Sequence, residues 1–297
     1  MFRLDRFLTL HFLGHLTAMA HGPAMRIPIL MYHSISHDTE PGVHPYYRMV
    51  TTPEVFVEHM NLLAELGCQA LDIETAADLL RSNTAAAKQS AAKYVAITFD
   101  DGFRDFYENA FPILSRFHFA ATVFLPAAFI GTSVNPEMGR RFISWSQANE
   151  LANAGISIGS HSQSHNYLVR MDRKAVEMEL WKSKEIIEDN IGRRVKAFSH
   201  PNAFPEHNKP YVSFLREALE KYGYSSAVTT MIGTAEAKAD TFFLRRIPVN
   251  SEDDISFFKA KINGRYDWMH LAQYGAKKAK GMLKIYGKKN LVKWVSK

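Results

Sequence analysis

Two short runs in this chain hold side chains suited to hydrolytic chemistry. The first is Thr98-Phe99-Asp100-Asp101-Gly102, where adjacent carboxylates follow an apolar stretch. Adjacent like charges near a core repel unless a cation or a donor offsets them. Alone, Asp-Asp-Gly equally suits a helix cap beside a solvated neighbour. The second run, Ile156-Ser157-Ile158-Gly159-Ser160-His161-Ser162-Gln163-Ser164-His165, again passes from apolar residues to ligand-type side chains. Histidines four apart fall on one face of a helical turn, from which both imidazoles reach one ion. One Asp with two His supplies a three-ligand site with open positions, and the two motifs together point to it more strongly than either half.

Such groups need a scaffold that ends several elements at one place. The sequence predicts strands at Ile27–His33, Tyr94–Phe99, Ala120–Leu125, Ile156–Ser160, Val195–Ser199, Ser226–Thr229 and Phe243–Ile247. Their mostly continuous apolarity suits strands buried on both faces, as in a parallel sheet. Amphipathic helices separate them. Thr52 and Pro53 open one that carries Phe56, Met60 and Leu63 and stops at Gly67. Phe103, Phe106, Ala110, Ile113 and Phe117 line another, which Pro112 kinks or divides. Asp172 caps a third, with Val176, Leu180, Ile187 and Ile191 on one face before Gly192. This alternation predicts an α/β fold, either a β/α barrel or an open doubly wound sheet. Both put their chemistry at strand C-termini, where the two motifs lie.

Thr98–Gly102 and His161–His165 resemble the first two motifs of the polysaccharide deacetylase family, the NodB-homology carbohydrate esterases of family 4. The resemblance implies a distorted (β/α)7-8 barrel and metal-dependent removal of N-acetyl groups from the amino sugars of a polysaccharide or glycan. It implies Asp100 as the catalytic base and Asp101, His161 and His165 as ligands of a divalent metal. Zn²⁺ is the default ion, and Co²⁺, Ni²⁺, Fe²⁺ and Mn²⁺ tolerate such a set. In the implied reaction, water activated by the metal attacks the acetyl carbonyl while Asp100 takes its proton. Deacylation of a lipid-linked sugar or a small amide shares this chemistry. A non-catalytic glycan-binding protein on the same fold is the remaining alternative.

An acid must also protonate the departing amine. Many family members use a Leu-x-His near the end of the domain, but here that segment reads Leu244-Arg245-Arg246. Leu30-Met31-Tyr32-His33 instead resembles the opening of a subgroup with permuted strand order, which makes His33 the candidate acid. Arg246 resembles that subgroup's late-strand arginine, placed to keep Asp100 ionised; a surface arginine on an edge strand is an equal reading. The third motif is altered to Phe198-Ser199-His200-Pro201-Asn202-Ala203. Pro201, Asn202, Tyr32 and Trp145 are the expected substrate contacts, Trp145 by stacking on a sugar face. His200 is expected to be structural, and Tyr46, Tyr47 and Arg48 occupy a loop that shapes access.

Charge concerns location more than reaction. The net +6 divides into a body of −2 and a segment 264–297 with nine Lys/Arg against one acid, so a nucleic-acid-binding body is not indicated. Three regions follow: an extension over 1–25, readable as a weak signal or an over-long start; a barrel over 26–263; and a basic tail over 264–297. The tail is expected either to be solvated or to touch an anionic membrane surface, with Gly281 and Gly287 weakening any helix. A cytoplasmic or inner-membrane-peripheral location is favoured over a secreted or periplasmic one. The single cysteine, Cys68, cannot form an internal disulfide.

Overall fold

The structure, a computed structural model, describes residues 3–20, 24–82, 93–132 and 139–287. Seven parallel strands close a barrel: β1 (Ile29–Tyr32), β2 (Lys93–Phe99), β3 (Thr122–Leu125), β4 (Ser157–Ser160), β5 (Ala197–Ser199), β6 (Ser226–Ile232) and β7 (Leu244–Pro248). Neighbours in sequence are neighbours in space. The ring shuts where β7 pairs with β1 (Ile247 opposite Leu30) and β1 with β2 (Leu30 opposite Ile97). Each of the seven strands predicted from sequence has a counterpart, and all of β3 is buried, as a sheet covered on both sides requires.

One strand escapes the apolar pattern. Cys68–Leu71 pairs with the first half of β2, on the edge that β3 occupies higher up. Only Leu71 in it is buried, so it has no apolar run to find. The helices follow their caps. The Thr52 hydroxyl accepts from the Val55 N–H ahead of Pro53–Glu65, and the Asp172 carboxylate accepts from the Ala175 N–H ahead of Arg173–Ile191. The Pro112 helix is divided: a π-turn over Phe106–Ala110 precedes the α-helix Phe111–Phe117, whose first turn holds the proline. No helix joins β6 to β7. The chain there forms a short strand, Ala235–Glu236, antiparallel to Arg26–Ile27, which distorts the barrel from regular β/α alternation.

The described parts of the N-terminal extension and the tail lie against the barrel. Residues 3–20 form helices Leu4–His11 and Leu13–Ala20. Tyr266 and Trp268 donate to Asp5 (2.8 Å) and Thr9 (3.0 Å) of the first helix. Beneath it, Arg3, Asp5, Asp253 and Lys261 form a buried ionic cluster, with Lys261 Nζ 2.7 Å from Asp253. In the tail, the helix Met269–Gly287 runs on through Gly275 and Gly281, and Gln273 donates to the Thr230 carbonyl at 2.8 Å.

Gly159 marks the tightest packing between strands. A Cβ there would lie 2.5 Å from Phe124 Cε1 and 3.1 Å from the Ala197 carbonyl, both fixed in neighbouring strands. Gly159→Ala is therefore expected to cost roughly 1–3 kcal/mol by overpacking, read as a lowered midpoint in thermal or denaturant unfolding. An unchanged midpoint would show that β4 can move away from β3.

Candidate active site

β2 delivers its two carboxylates through a sharp turn. The Asp100 N–H continues the ladder to the Tyr32 carbonyl at 3.0 Å, and then Asp101 (φ 73°) and Gly102 (φ 62°) both adopt left-handed backbone. Gly102 suits this conformation, and a Cβ there would also meet Leu125 Cδ2 at 2.7 Å. The turn separates the two acids, giving each its own set of partners.

Asp100 faces Arg246 of β7. The guanidinium donates NH1 to Oδ1 at 2.8 Å and NH2 to Oδ2 at 2.7 Å. Its remaining N–H groups go to the Thr229 carbonyl (3.0 Å), Thr98 Oγ1 (3.2 Å) and Ser199 Oγ (3.1 Å). All five donors of a side chain only 1% exposed are thereby satisfied. Burial alone would raise the Asp100 pKa, but Arg246, followed by His161, brings it down to about 2. Of the two readings for Arg246, the buried partner of Asp100 is the one observed.

Asp101 faces the histidines. Its Oδ1 lies 3.5 Å from His161 Nε2 and 3.3 Å from His165 Nε2. His161 Nδ1 is 2.8 Å from the Ser199 carbonyl, which can only accept, so Nδ1 carries a proton and Nε2 is the nitrogen turned to the carboxylate; burial disfavours charge on this ring, but the two aspartates raise its pKa. Asp101 Oδ1 is buried and has no hydrogen-bond partner. One carboxylate oxygen and two imidazole nitrogens converging on one point suit a divalent cation, and all three atoms lie within 4.8 Å of one another.

The histidines do not meet on a helical turn, as their spacing suggested. Residues 161–167 form a loop in which Ser162 (φ 65°) and His165 (φ 56°) are left-handed, folding His165 back toward His161. Glu179, a buried acid on the helix Arg173–Ile191, holds that loop. It accepts from the Gln163 and Ser164 N–H groups, both at 2.9 Å, and from Ser164 Oγ at 2.5 Å. Asn202 closes the other side, donating to the His165 carbonyl at 3.2 Å.

The remaining expected residues divide. His33, just past β1, is half-buried and lies within electrostatic reach of Asp101, Asp100, Arg246 and His161. Burial depresses its pKa against the pull of the two aspartates, so the ring is neutral near pH 7 and can act as an acid only with a proton gained during turnover. Tyr32 is not a substrate contact: it is 0% exposed, stacked on Phe99, with its hydroxyl 3.0 Å from His59 Nδ1. Pro201 is buried, and Asn202 is engaged with the His165 loop. Trp145 opens the helix Trp145–Asn153, packs against the core, and sits beside Gly131 in the loop after β3. His200 is structural, bonded to the Tyr211 hydroxyl at 2.9 Å, and burial lowers its pKa to about 3.

Sequence reasoning assigned no role to Ser199, Thr98 or Glu179. Each carries a readable signal. Ser199 and Thr98 are polar residues near the ends of apolar strands, and Glu179 interrupts the apolar stripe between Val176 and Leu180.

A closed parallel barrel with carboxylates and imidazoles gathered at the C-terminal mouth defines a β/α-barrel hydrolase. The polysaccharide deacetylase family model matches residues 87–227. YxkH of Bacillus subtilis (strain 168), named as a polysaccharide deacetylase, is 31% identical over 237 residues, 80% of this chain and 76% of that protein. The poly-β-1,6-N-acetyl-D-glucosamine N-deacetylase of Staphylococcus epidermidis is 24% identical over 167 residues, 53% of this chain and 55% of that one. The fold matches the solved structure of the Streptococcus pyogenes deacetylase PplD in complex with acetate, with TM-score 0.67 and 24% identity over 80% of this chain and 99% of that chain. The chain belongs to the polysaccharide deacetylase family and is a hydrolase of carbon–nitrogen bonds.

Two substitutions test the supports. Arg246→Lys keeps the charge but brings three donors where five are used, and Arg246→Ala strands a buried carboxylate. Unfolding measurements should show the alanine variant destabilised by roughly 3–5 kcal/mol and the lysine variant only partly restored. Glu179→Ala removes the acceptor of both loop N–H groups and of the Ser164 hydroxyl, and metal titration should show affinity weakened about 10- to 100-fold. Unaltered affinity would mean that the loop holds His165 without Glu179.

Proposed function

We propose that this protein is a metal-dependent de-N-acetylase acting on amino sugars of a polysaccharide. The observation that carries the reading is the convergence of Asp101 Oδ1 with the Nε2 atoms of His161 and His165, beside an Asp100 held separately by Arg246. The substrate class is supported by family membership and by the S. epidermidis relative, named for poly-β-1,6-N-acetyl-D-glucosamine. Asp101, His161 and His165 would hold the ion, and two imidazoles with one carboxylate favour Zn²⁺.

A divalent ion there supplies Lewis-acid polarisation of the acyl carbonyl and acidifies the attacking water. Arg246 keeps Asp100 ionised and holds both its oxygens in place. That makes Asp100 a weak base, adequate only for a water already made acidic, so the two halves of the site depend on each other. Oδ2 is the proton acceptor, because Oδ1 is taken by both Arg246 and Ser199 Oγ while Oδ2 lies 4.0 Å from His161 Nε2, beside the ligand set. Ser199 fixes the His161 tautomer through its carbonyl. His33, just past the end of β1, is the residue we assign to pass a proton to the departing amine.

Acetate release from N-acetylglucosamine oligomers tests the reading. The protein loaded with Zn²⁺ or Co²⁺ should be active, lose activity on chelation, and recover it when metal is restored. Asp100→Asn should keep its metal content by elemental analysis while kcat falls about 10²- to 10⁴-fold. Activity that survives removal of both His161 and His165 would overturn the proposal.

A further inference from the structure

We infer that the N-terminal helices, the loop 43–49 and the start of the C-terminal helix form one surface that docks on an anionic lipid bilayer. Among the described residues, nine of the twelve exposed large apolar side chains belong to these segments: Leu4, Phe7, Phe12, Leu16, Met19, Val43, Tyr47, Met49 and Leu271. Several are strongly exposed, with Phe12 at 56%, Leu16 at 66%, Met19 at 83% and Leu271 at 75%. The segments are distant in sequence and meet around one cluster. Leu10, Tyr46 and Met269 all pack on Ile232, Phe257 and Tyr266. Arg265 donates to the Leu10 carbonyl at 3.0 Å and lies 2.7 Å from His15 Nε2, and Gly14 comes against Arg265 where a Cβ would stand 3.0 Å from its own. A set of this size is beyond the scattered apolar residues normal on a surface.

Charge selects the occupant. Residues 264–287 hold five Lys/Arg and one acid, Asp267, which is turned inward and accepts from the Thr234 N–H and hydroxyl at 2.9 Å. The only acid of residues 3–20, Asp5, is taken by Arg3 and Tyr266. Gln273 and Lys277 tie the C-terminal helix to the barrel, whereas Lys278 is exposed. Lys277 also faces Glu206, so among the described side chains the exposed cation of this helix is Lys278, and apolar side chains beside it match the boundary between acyl chains and anionic headgroups. No helix among the described residues is long and apolar enough to cross a membrane, so the mode is docking rather than spanning. Asn250, just past the C-terminal end of β7, donates to the Pro45 and Arg48 carbonyls at 2.9 and 3.0 Å, which puts the loop 43–49 on the mouth side of the barrel.

Cosedimentation of the full chain with vesicles tests this. The protein should bind phosphatidylcholine vesicles that contain phosphatidylglycerol, bind phosphatidylcholine alone far less, and be released by salt. Phe12→Ser with Leu16→Ser should weaken binding on the order of tenfold or more. Lys278→Ala should weaken it about fivefold. Both variants alter exposed side chains, so circular dichroism and turnover of soluble oligomers should be unchanged. Absence of binding, or binding indifferent to either substitution, overturns the inference. A concentration-dependent dimer that the same substitutions abolish, without vesicle binding, would assign the surface to a second copy of the chain and equally overturn it.

Discussion

The contact between Arg246 and Asp100 is the one on which the site depends. A carboxylate taken out of water is strongly disfavoured as an ion, and here it is 2% exposed at the end of an apolar strand. The opposing term is a guanidinium from the strand two places round the ring, with β1 between them. Its five donors reach Thr98 and Asp100 at the end of β2, Ser199 of β5 and Thr229 of β6, so four strands are joined at a single side chain. A buried ion pair is weak evidence for stability on its own. With every donor used, this one fixes geometry instead, and that geometry sets Asp100 beside Asp101, His161 and His165.

The rest of the mouth repeats the same logic with weaker groups. Asp101 is turned away from Arg246 by two left-handed residues and left to the histidines. The Ser199 carbonyl selects the tautomer of His161, and Glu179 and Asn202 clamp the loop of His165 from two sides. Each histidine, or the loop that carries it, therefore has a supporting hydrogen bond from another element. The low pKa of Asp100 follows from its contact with Arg246.

The termini show a separate use of burial. Arg3, Asp5, Asp253 and Lys261 are desolvated together, which ties residue 3 to the turn after β7. This leaves the outer faces of the N-terminal helices apolar and uncovered. A division of the chain into extension, barrel and tail is natural on composition, yet side-chain contacts link all three at one corner.

The amino-acid sequence by itself determined the barrel strands, the main helix caps and the four residues Asp100, Asp101, His161 and His165. These depend on local pattern: apolar runs mark strands buried on both faces, and ligand-type side chains stand out where such runs end. Resemblance singled out Arg246 but left a surface reading equal, and tertiary structure decided that it is buried against Asp100. It also decided that Tyr32 is core, that His165 returns through a left-handed loop, and that a glutamate in a helix stripe supports a ligand. Those outcomes depend on burial and on partners more than a hundred residues away in the case of Arg246 and Asp100. Charge placement, unlike apolar periodicity, has no local period, and its cost is settled only when the barrel closes.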